Sequence, residues 1–281
     1  MNINIAQESG FCFGVRRAIR LLKEAAEIHG NLETIGAAVH NHQVVESLSQ
    51  LGISAVESLD SVQCSTVAIP AHGLDRRVIE KIKKRHIRIV DATCPKVRKA
   101  QLSAEQLAKD GFWVIVFGDT YHPEVQGVLG WAGGNGIATL DSEIILNIGN
   151  LPNRAGILSQ TTRNPAQFAN FVNEITSSVL SHVVELRIVN TICNATKRRQ
   201  DAALELARKV DMMLVIGGHH SANTNNLAEL CAATGVETHH IETVSEMRQE
   251  WLGNKHIGLT AGASTPDEVT KEVIAYLKEN G

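Results

Sequence analysis

The chain has 281 residues, 43% of them hydrophobic, and a formal net charge of −3. This supports two or three domains with large cores, and the acidic balance and 4% aromatic content disfavour a nucleic-acid partner, since few bases could stack. No apolar run approaches the roughly 20 residues that cross a bilayer, so no membrane association is expected.

The chain starts "MNINIAQESGFCFG", which lacks a basic segment before a long apolar stretch and is not expected to be a secretory signal. "NINIA" reads as a strand, Cys12 follows it, and Arg16–Arg17 stand four and five residues later. Ala18, Leu21, Leu22 and Ala25 then fall at helical spacing, and a strand closes at Gly36, with His40 beyond it. A loop "VAIPAHGLD" carries His72. The strand "IRIVDA" leads to Cys94, Arg98–Lys99 and a shorter apolar helix pattern (Ala104, Leu107, Ala108). "VIVFG" ends at Gly118, and "YHPEVQG" brings His122 and Glu124. "GILSQTTRNP" holds Gln160 and Thr161, with Asn164-Pro165 as a helix start. "VVELRIV" precedes Cys193 and Lys197–Arg198; Ala203, Leu206, Ala207 and Val210 form the next helical stripe. "MLVIG" ends at Gly217, Ser221 follows, and "IGLTAGASTPDE" carries Ser264 and a capping-box pattern from Thr265 to Glu268.

One unit therefore occurs three times, as C-x3-[KR]-[KR]-x18-G-x3-[HS] from Cys12, Cys94 and Cys193. Strands alternating with helices at this spacing indicate small parallel α/β domains, whose ligands sit at the carboxyl ends of the strands. The expected domains are 13–93, 94–192 and 193–281, with residues 1–12 joining the third. Three related domains aiming their strand ends at one centre would form a pseudo-threefold, trefoil-like ring.

Five scattered cysteines in so large a chain favour a reducing, cytoplasmic compartment. Cys64 and Cys231 do not recur and read as inert thiols. Three converging thiolates leave one position open on a metal centre, since a closed structural zinc site takes four ligands. Soft sulfur suits iron–sulfur clusters, zinc or copper(I); a cubane cluster fits a cytoplasmic enzyme well. The paired cations near the helix starts are expected to offset thiolate and cluster charge. His40, His122 and Ser221 are equivalent by position, and His72, Ser264 and Gln160–Thr161 occupy the second loops; such groups at helix starts suit a phosphate or diphosphate. Glu124 can deliver protons. The other nine of the 12 histidines lack repeat support and read as structural.

The motifs "GFCFGV", "VHN", "AHG", "DATCP", "YHPEV", "SQTT", "NTIC-AT-RQ", "SANT" and "TAGAST", spanning Phe11 to Thr265, resemble the 4-hydroxy-3-methylbut-2-enyl diphosphate reductase family. The resemblance implies a cytoplasmic or plastid enzyme with one [4Fe-4S] cluster held by Cys12, Cys94 and Cys193. It implies removal of an allylic hydroxyl with two electrons and two protons, giving isopentenyl and dimethylallyl diphosphate, the last step of the non-mevalonate isoprenoid route. His40, His72, Ser221, Asn223 and Ser264 would hold the diphosphate, with His122 at the pocket wall. Glu124 would pass protons, and Thr161 would bond the hydroxyl or Glu124. Ala222 stands at the diphosphate where some members have a second serine; Gln101 and Tyr121 are further departures. Ferredoxin or flavodoxin would supply electrons. Quinolinate synthase, which also has three domains and three cysteines, and a redox or iron sensor are the rival readings. The anion-binding set with its carboxylate favours the reductase.

Overall fold

The structure, a computed structural model, describes residues 2–148, 151–179, 183–253 and 256–280. His182, one of the histidines read as structural, lies outside the described residues. The chain gathers into two compact units. One comprises Met1–Arg16, Val39–Ser47 and Asn194–Gly281; the other comprises Arg17–Ala38 and Leu48–Cys193.

The first unit holds a four-stranded parallel sheet of β1 (Asn2–Ile5), β10 (Met212–Ile216), β11 (Glu237–Ile241) and β12 (His256–Ala261), in the order β1-β12-β10-β11. The strand "MMLVI" is apolar throughout because both faces are covered. Met212, Leu214 and Ile216 enter one core with Val269, Val273 and Leu277 of α10 (Asp267–Asn280). Met213 and Val215 enter another with Ala203 and Leu206 of α8 (Asn194–Ala207) and Leu227 of α9 (Ala222–Ala232).

The second unit holds two such sheets. One is ordered β3-β2-β4-β5, from β2 (Leu32–Ile35), β3 (Ile53–Val56), β4 (Thr66–Ile69) and β5 (Arg88–Asp91). The other is ordered β7-β6-β8-β9, from β6 (Trp113–Phe117), β7 (Gly136–Thr139), β8 (Arg154–Ser159) and β9 (Glu185–Val189). Val114 and Val116 face α4 (Pro95–Lys109) and α5 (Pro123–Trp131), while Ile115 and Phe117 face α7 (Pro165–Val179). The helices after the cysteines are α1 (Phe13–His29), α4 and α8. With 15 residues, α4 is no shorter than the 14-residue α8, although its apolar stripe reads shorter in the sequence.

The repeat thus reappears as topology. Each sheet runs second, first, third, fourth strand, and β1 is the fourth strand of the sheet formed by β10, β12 and β11. Each repeat cysteine follows a fourth strand and immediately precedes a helix. Each repeat glycine donates its N–H to the end of the second strand: Gly36 to Val56, Gly118 to Thr139 and Gly217 to Ile241. The glycines are needed for different reasons. Gly36 has φ +79° with only the His72 ring at ordinary contact distance, 3.8 Å from where a Cβ would stand; Gly118 has Val125 and Gln160 within 3 Å of that point, and Gly217 combines φ +148° with the Thr265 hydroxyl 2.5 Å from it.

Two sequence expectations at helix starts resolve differently. Asn164 caps α7, its Oδ1 accepting from Ala166 N at 2.7 Å. The capping box at Thr265–Glu268 is not formed. The buried Thr265 hydroxyl donates to Ile216 O at 3.0 Å, tying its loop to β10, and α10 begins at Asp267. No helix of the described residues is long and apolar enough to cross a membrane.

Gly36→Ala should cost about 1 kcal/mol through backbone strain alone. Gly217→Ala adds overpacking, of order 1–3 kcal/mol, and should lower the unfolding temperature clearly more. Thermal unfolding of both variants beside the parent checks this order.

Candidate active site

The three repeat cysteines form no disulfide and are partly buried, and each sits just ahead of a helix. One backbone bond recurs at all three. In the first unit, Cys12 N donates to Ala263 O at 3.0 Å. In the second, Cys94 N donates to Ala71 O and Cys193 N to Thr161 O, both at 2.9 Å. Each acceptor lies in the loop after the third strand of the sheet whose fourth strand leads to that cysteine. These loops carry His72, Thr161 and Ser264. The backbone thus ties every repeat cysteine to a loop that carries one of the expected anion or proton residues, Thr161 being itself an acceptor. Cys12 Sγ also accepts from Val15 N at 3.4 Å, at the N-terminus of α1. The other two cysteines differ. Burial pushes the Cys231 thiol up to about 12, and burial with the Glu33 carboxylate raises that of Cys64.

One cation of each pair turns to a cysteine loop. Arg16 Nε donates to Phe11 O at 3.1 Å, Arg98 pairs with Asp91, and Arg198 pairs with Glu8 at 3.0 Å.

In the second unit, a hydrogen-bonded chain runs from Cys193 to His122. Thr161, whose carbonyl accepts from Cys193 N, donates its own N–H to Glu124 Oε1 at 2.6 Å and its hydroxyl to Glu124 Oε2 at 2.9 Å. Glu124 N donates to His122 Nδ1 at 3.1 Å, which places that ring's proton on Nε2. His122 is thereby the N-cap of α5, and Pro123 occupies its first turn. Glu124 is 3% exposed. Burial raises its carboxyl to about 6, although the two Thr161 donors pull it down. Gln160 accepts from Asp119 N through Oε1 at 3.2 Å, and its Nε2 is buried with no hydrogen-bond partner. His72 shares its loop with the Cys94 acceptor. Its Nδ1 faces Gly73 O at 3.0 Å and its Nε2 faces Ala37 O at 3.2 Å. Both bonds form together only when both nitrogens carry protons.

In the first unit, Ser264 Oγ donates to His40 O at 3.0 Å. Burial, then repulsion from His220, lowers the His40 pKa and favours its neutral form. Ser221 caps α9, its Oγ accepting from Thr224 N at 3.3 Å. Ala222 opens that helix, and Asn223 follows with both side-chain polar atoms buried and unpaired. An orphaned amide at a helix N-terminus fits an anionic oxygen as partner. The repeat is imperfect here: His122 and Ser221 cap their helices directly. In the first copy Asn41 takes that role, its Oδ1 accepting from Val44 N at 3.0 Å, so His40 precedes the cap. Sequence reasoning passed over Asn41, although "VHN" contains it.

Within each unit, the described residues contain no three His, Cys, Asp or Glu side chains grouped to hold a single metal ion. A cavity of about 470 Å³ in the second unit, lined by Arg76, Glu80, Arg98 and Trp131 among others, includes none of the candidate thiol, anion-binding or proton-transfer residues.

The family model described as LytB protein matches residues 3–278. A protein of Dehalococcoides mccartyi (strain CBDB1), named 4-hydroxy-3-methylbut-2-enyl diphosphate reductase, is 47% identical over 278 residues, covering 99% of this chain and 98% of its own. A solved structure of (E)-4-hydroxy-3-methyl-but-2-enyl diphosphate reductase, the terminal enzyme of the non-mevalonate pathway, is 35% identical with a TM-score of 0.72, covering 99% of this chain and 100% of that one. The E-1-hydroxy-2-methyl-but-2-enyl-4-diphosphate reductase from Plasmodium falciparum is 27% identical with a TM-score of 0.90, covering 99% and 88%. With a family match over nearly its whole length and a relative 47% identical across it, the chain belongs to the LytB protein family.

Proposed function

We propose that this chain reductively dehydroxylates 4-hydroxy-3-methylbut-2-enyl diphosphate. Two electrons and two protons break the allylic C–O bond, the hydroxyl leaves as water, and the carbon skeleton gains one hydrogen as isopentenyl or dimethylallyl diphosphate. The observation that carries the reading is the buried Glu124 carboxyl, held by Thr161, whose carbonyl is bonded to Cys193 N.

Cys12, Cys94 and Cys193 would hold one [4Fe-4S] cluster. The donor set fits: three thiols in no disulfide, each at a helix start, are the soft ligands that an iron–sulfur cluster takes. When bound, such a cluster supplies electrons and Lewis acidity at the iron that no cysteine occupies. The proposal requires the three domains, 13–93, 94–192 and 193–281 with 1–12, to aim their strand ends at one centre.

The protein's own residues do the rest. Ser221, Asn223 and the start of α9 receive the diphosphate together with His40, Ser264 and His72. Ala222 offers only a methyl there. Thr161 orients Glu124 through two bonds and leaves its hydroxyl oxygen able to accept from the substrate hydroxyl. Glu124 gives its proton to the leaving oxygen; its pKa of about 6 lets it hold and release a proton near neutral pH. His122 shapes the wall beside it. An electron carrier such as ferredoxin or flavodoxin would reduce the centre in the cytoplasm. A sensor would leave Glu124 and Asn223 without work.

The direct test gives anaerobic, reduced protein the hydroxylated diphosphate and follows both five-carbon products by mass spectrometry. Both should form; an intact, reduced protein that makes neither contradicts the proposal. Protein purified without oxygen should be brown and bleach in air, whereas full activity in a colourless, zinc-loaded protein would exclude the cluster. Glu124→Gln should keep colour and diphosphate binding but lose turnover at least ~100-fold; wild-type turnover would remove Glu124 from the proton route. Because the folded carboxyl holds its proton to about pH 6 and an ordinary one only to 4.5, folding stability should fall by about 2 kcal/mol as pH rises across that window. Unfolding temperatures of Glu124→Gln and wild type should therefore diverge in the variant's favour between pH 4.5 and about 6.5.

A further inference from the structure

Two arginines reach cysteine loops far away in the sequence. Arg17 lies on α1, the helix after Cys12, and its Nη1 donates to Thr93 O at 3.1 Å, across 76 residues. Thr93 O and Cys94 N belong to one peptide group, and the N–H end of that group is already bonded to Ala71 O. The peptide leading into Cys94 is therefore held at both ends. Arg199 lies on α8, the helix after Cys193, and its Nη2 donates to Gly10 O at 2.7 Å, across 189 residues. Gly10 stands two residues before Cys12 with φ +75°, and its N–H bonds to Ala261 O at 3.3 Å. Arg199 is 3% exposed, a costly place for a guanidinium unless its donors are used. The third loop is held in another way. There Thr191, in the loop itself, accepts from Ser159 N through Oγ1 at 2.9 Å and donates to Ser159 O, so a neutral hydroxyl ties the loop to β8.

We infer that Arg17 and Arg199 are positioning residues of the metal centre, Arg17 fixing Cys94 and Arg199 fixing Cys12. This rests on the reading of the three cysteines as cluster ligands. A carbonyl held one or two residues before the ligand fixes the backbone that aims the thiol. A charged donor does so more strongly than a neutral one. Bonding at both ends of one peptide also strengthens each bond. Arg17 belongs to the basic pair of its repeat and Arg199 directly follows the pair Lys197–Arg198, so two cysteine helices each serve the loop of a different cysteine.

The test compares wild type, Arg17→Gln, Arg199→Gln, the two lysine variants and Arg154→Gln. Arg154 also donates to a backbone carbonyl, Asp110 O, and pairs with Glu185, but touches no cysteine loop. Iron release to a chelator and the electron paramagnetic resonance of the reduced centre are read on the loaded protein. Alkylation of each cysteine, mapped by mass spectrometry, is read on cluster-free protein. Each glutamine variant should lose iron about 10–100-fold faster. Arg17→Gln should speed alkylation of Cys94 above that of Cys193, and Arg199→Gln should do so at Cys12. Lysine should recover part of each effect, and Arg154→Gln should leave iron release and alkylation as in wild type. Wild-type iron release and alkylation in both glutamine variants, or equal loosening of all three cysteines, would overturn the inference. If a glutamine variant fails to fold, its lysine variant is read instead, and wild-type values there overturn it. Wild-type protein that binds no iron would refute the cluster reading, while the cysteine-by-cysteine alkylation pattern still decides the bracing.

Discussion

The backbone N–H of each repeat cysteine ends on a carbonyl in the loop that follows a third strand: Ala263 for Cys12, Ala71 for Cys94 and Thr161 for Cys193. Strand order produces this bond. The fourth strand of each sheet lies beside the third, so the chain leaving one runs next to the chain leaving the other. A buried N–H must find an acceptor, and the neighbouring loop supplies it. The consequence is chemical. Each thiol is placed relative to the loop carrying His72, Thr161 or Ser264, and parallel strands deliver all of these at their carboxyl ends.

Glu124 shows how the same bond reaches a buried carboxyl. Its carboxyl could be expected to ionise freely, since Thr161 offers it an N–H and an O–H. Burial outweighs both donors and carries the group to about 6. Thr161 is therefore both the acceptor for Cys193 N and the partner that fixes the acid. Substitution there would disturb the thiol loop and the carboxyl together.

Much of this was legible beforehand, because the repeat is written in residue types. Cysteine, a basic pair, glycine and His/His/Ser recur at fixed offsets, and each marks a place where side-chain chemistry or backbone freedom is required. The N–H bonds were not legible, since a backbone acceptor such as Ala71 or Ala263 has no side-chain signature. The direction of the cations was not legible either. Arg16 and Arg98 are visible as charges, but their ends on Phe11 O and Asp91 follow from how the loops fold back. Thr265 carries the pattern of a helix cap and spends its hydroxyl on Ile216 O, because burial makes that carbonyl the more pressing partner. Gly36, Gly118 and Gly217 look equivalent in sequence yet answer to conformation, crowding and both, which only the packed neighbours reveal.

The central claim is that three backbone-pinned thiols hold one iron–sulfur cluster and leave one iron for the substrate. Mössbauer spectroscopy of iron-57-enriched, anaerobic protein tests it most directly, before and after addition of the hydroxylated diphosphate. The account predicts one iron distinct from the other three, with that iron alone shifting on addition. Four equivalent irons, or a spectrum indifferent to the diphosphate, would contradict it.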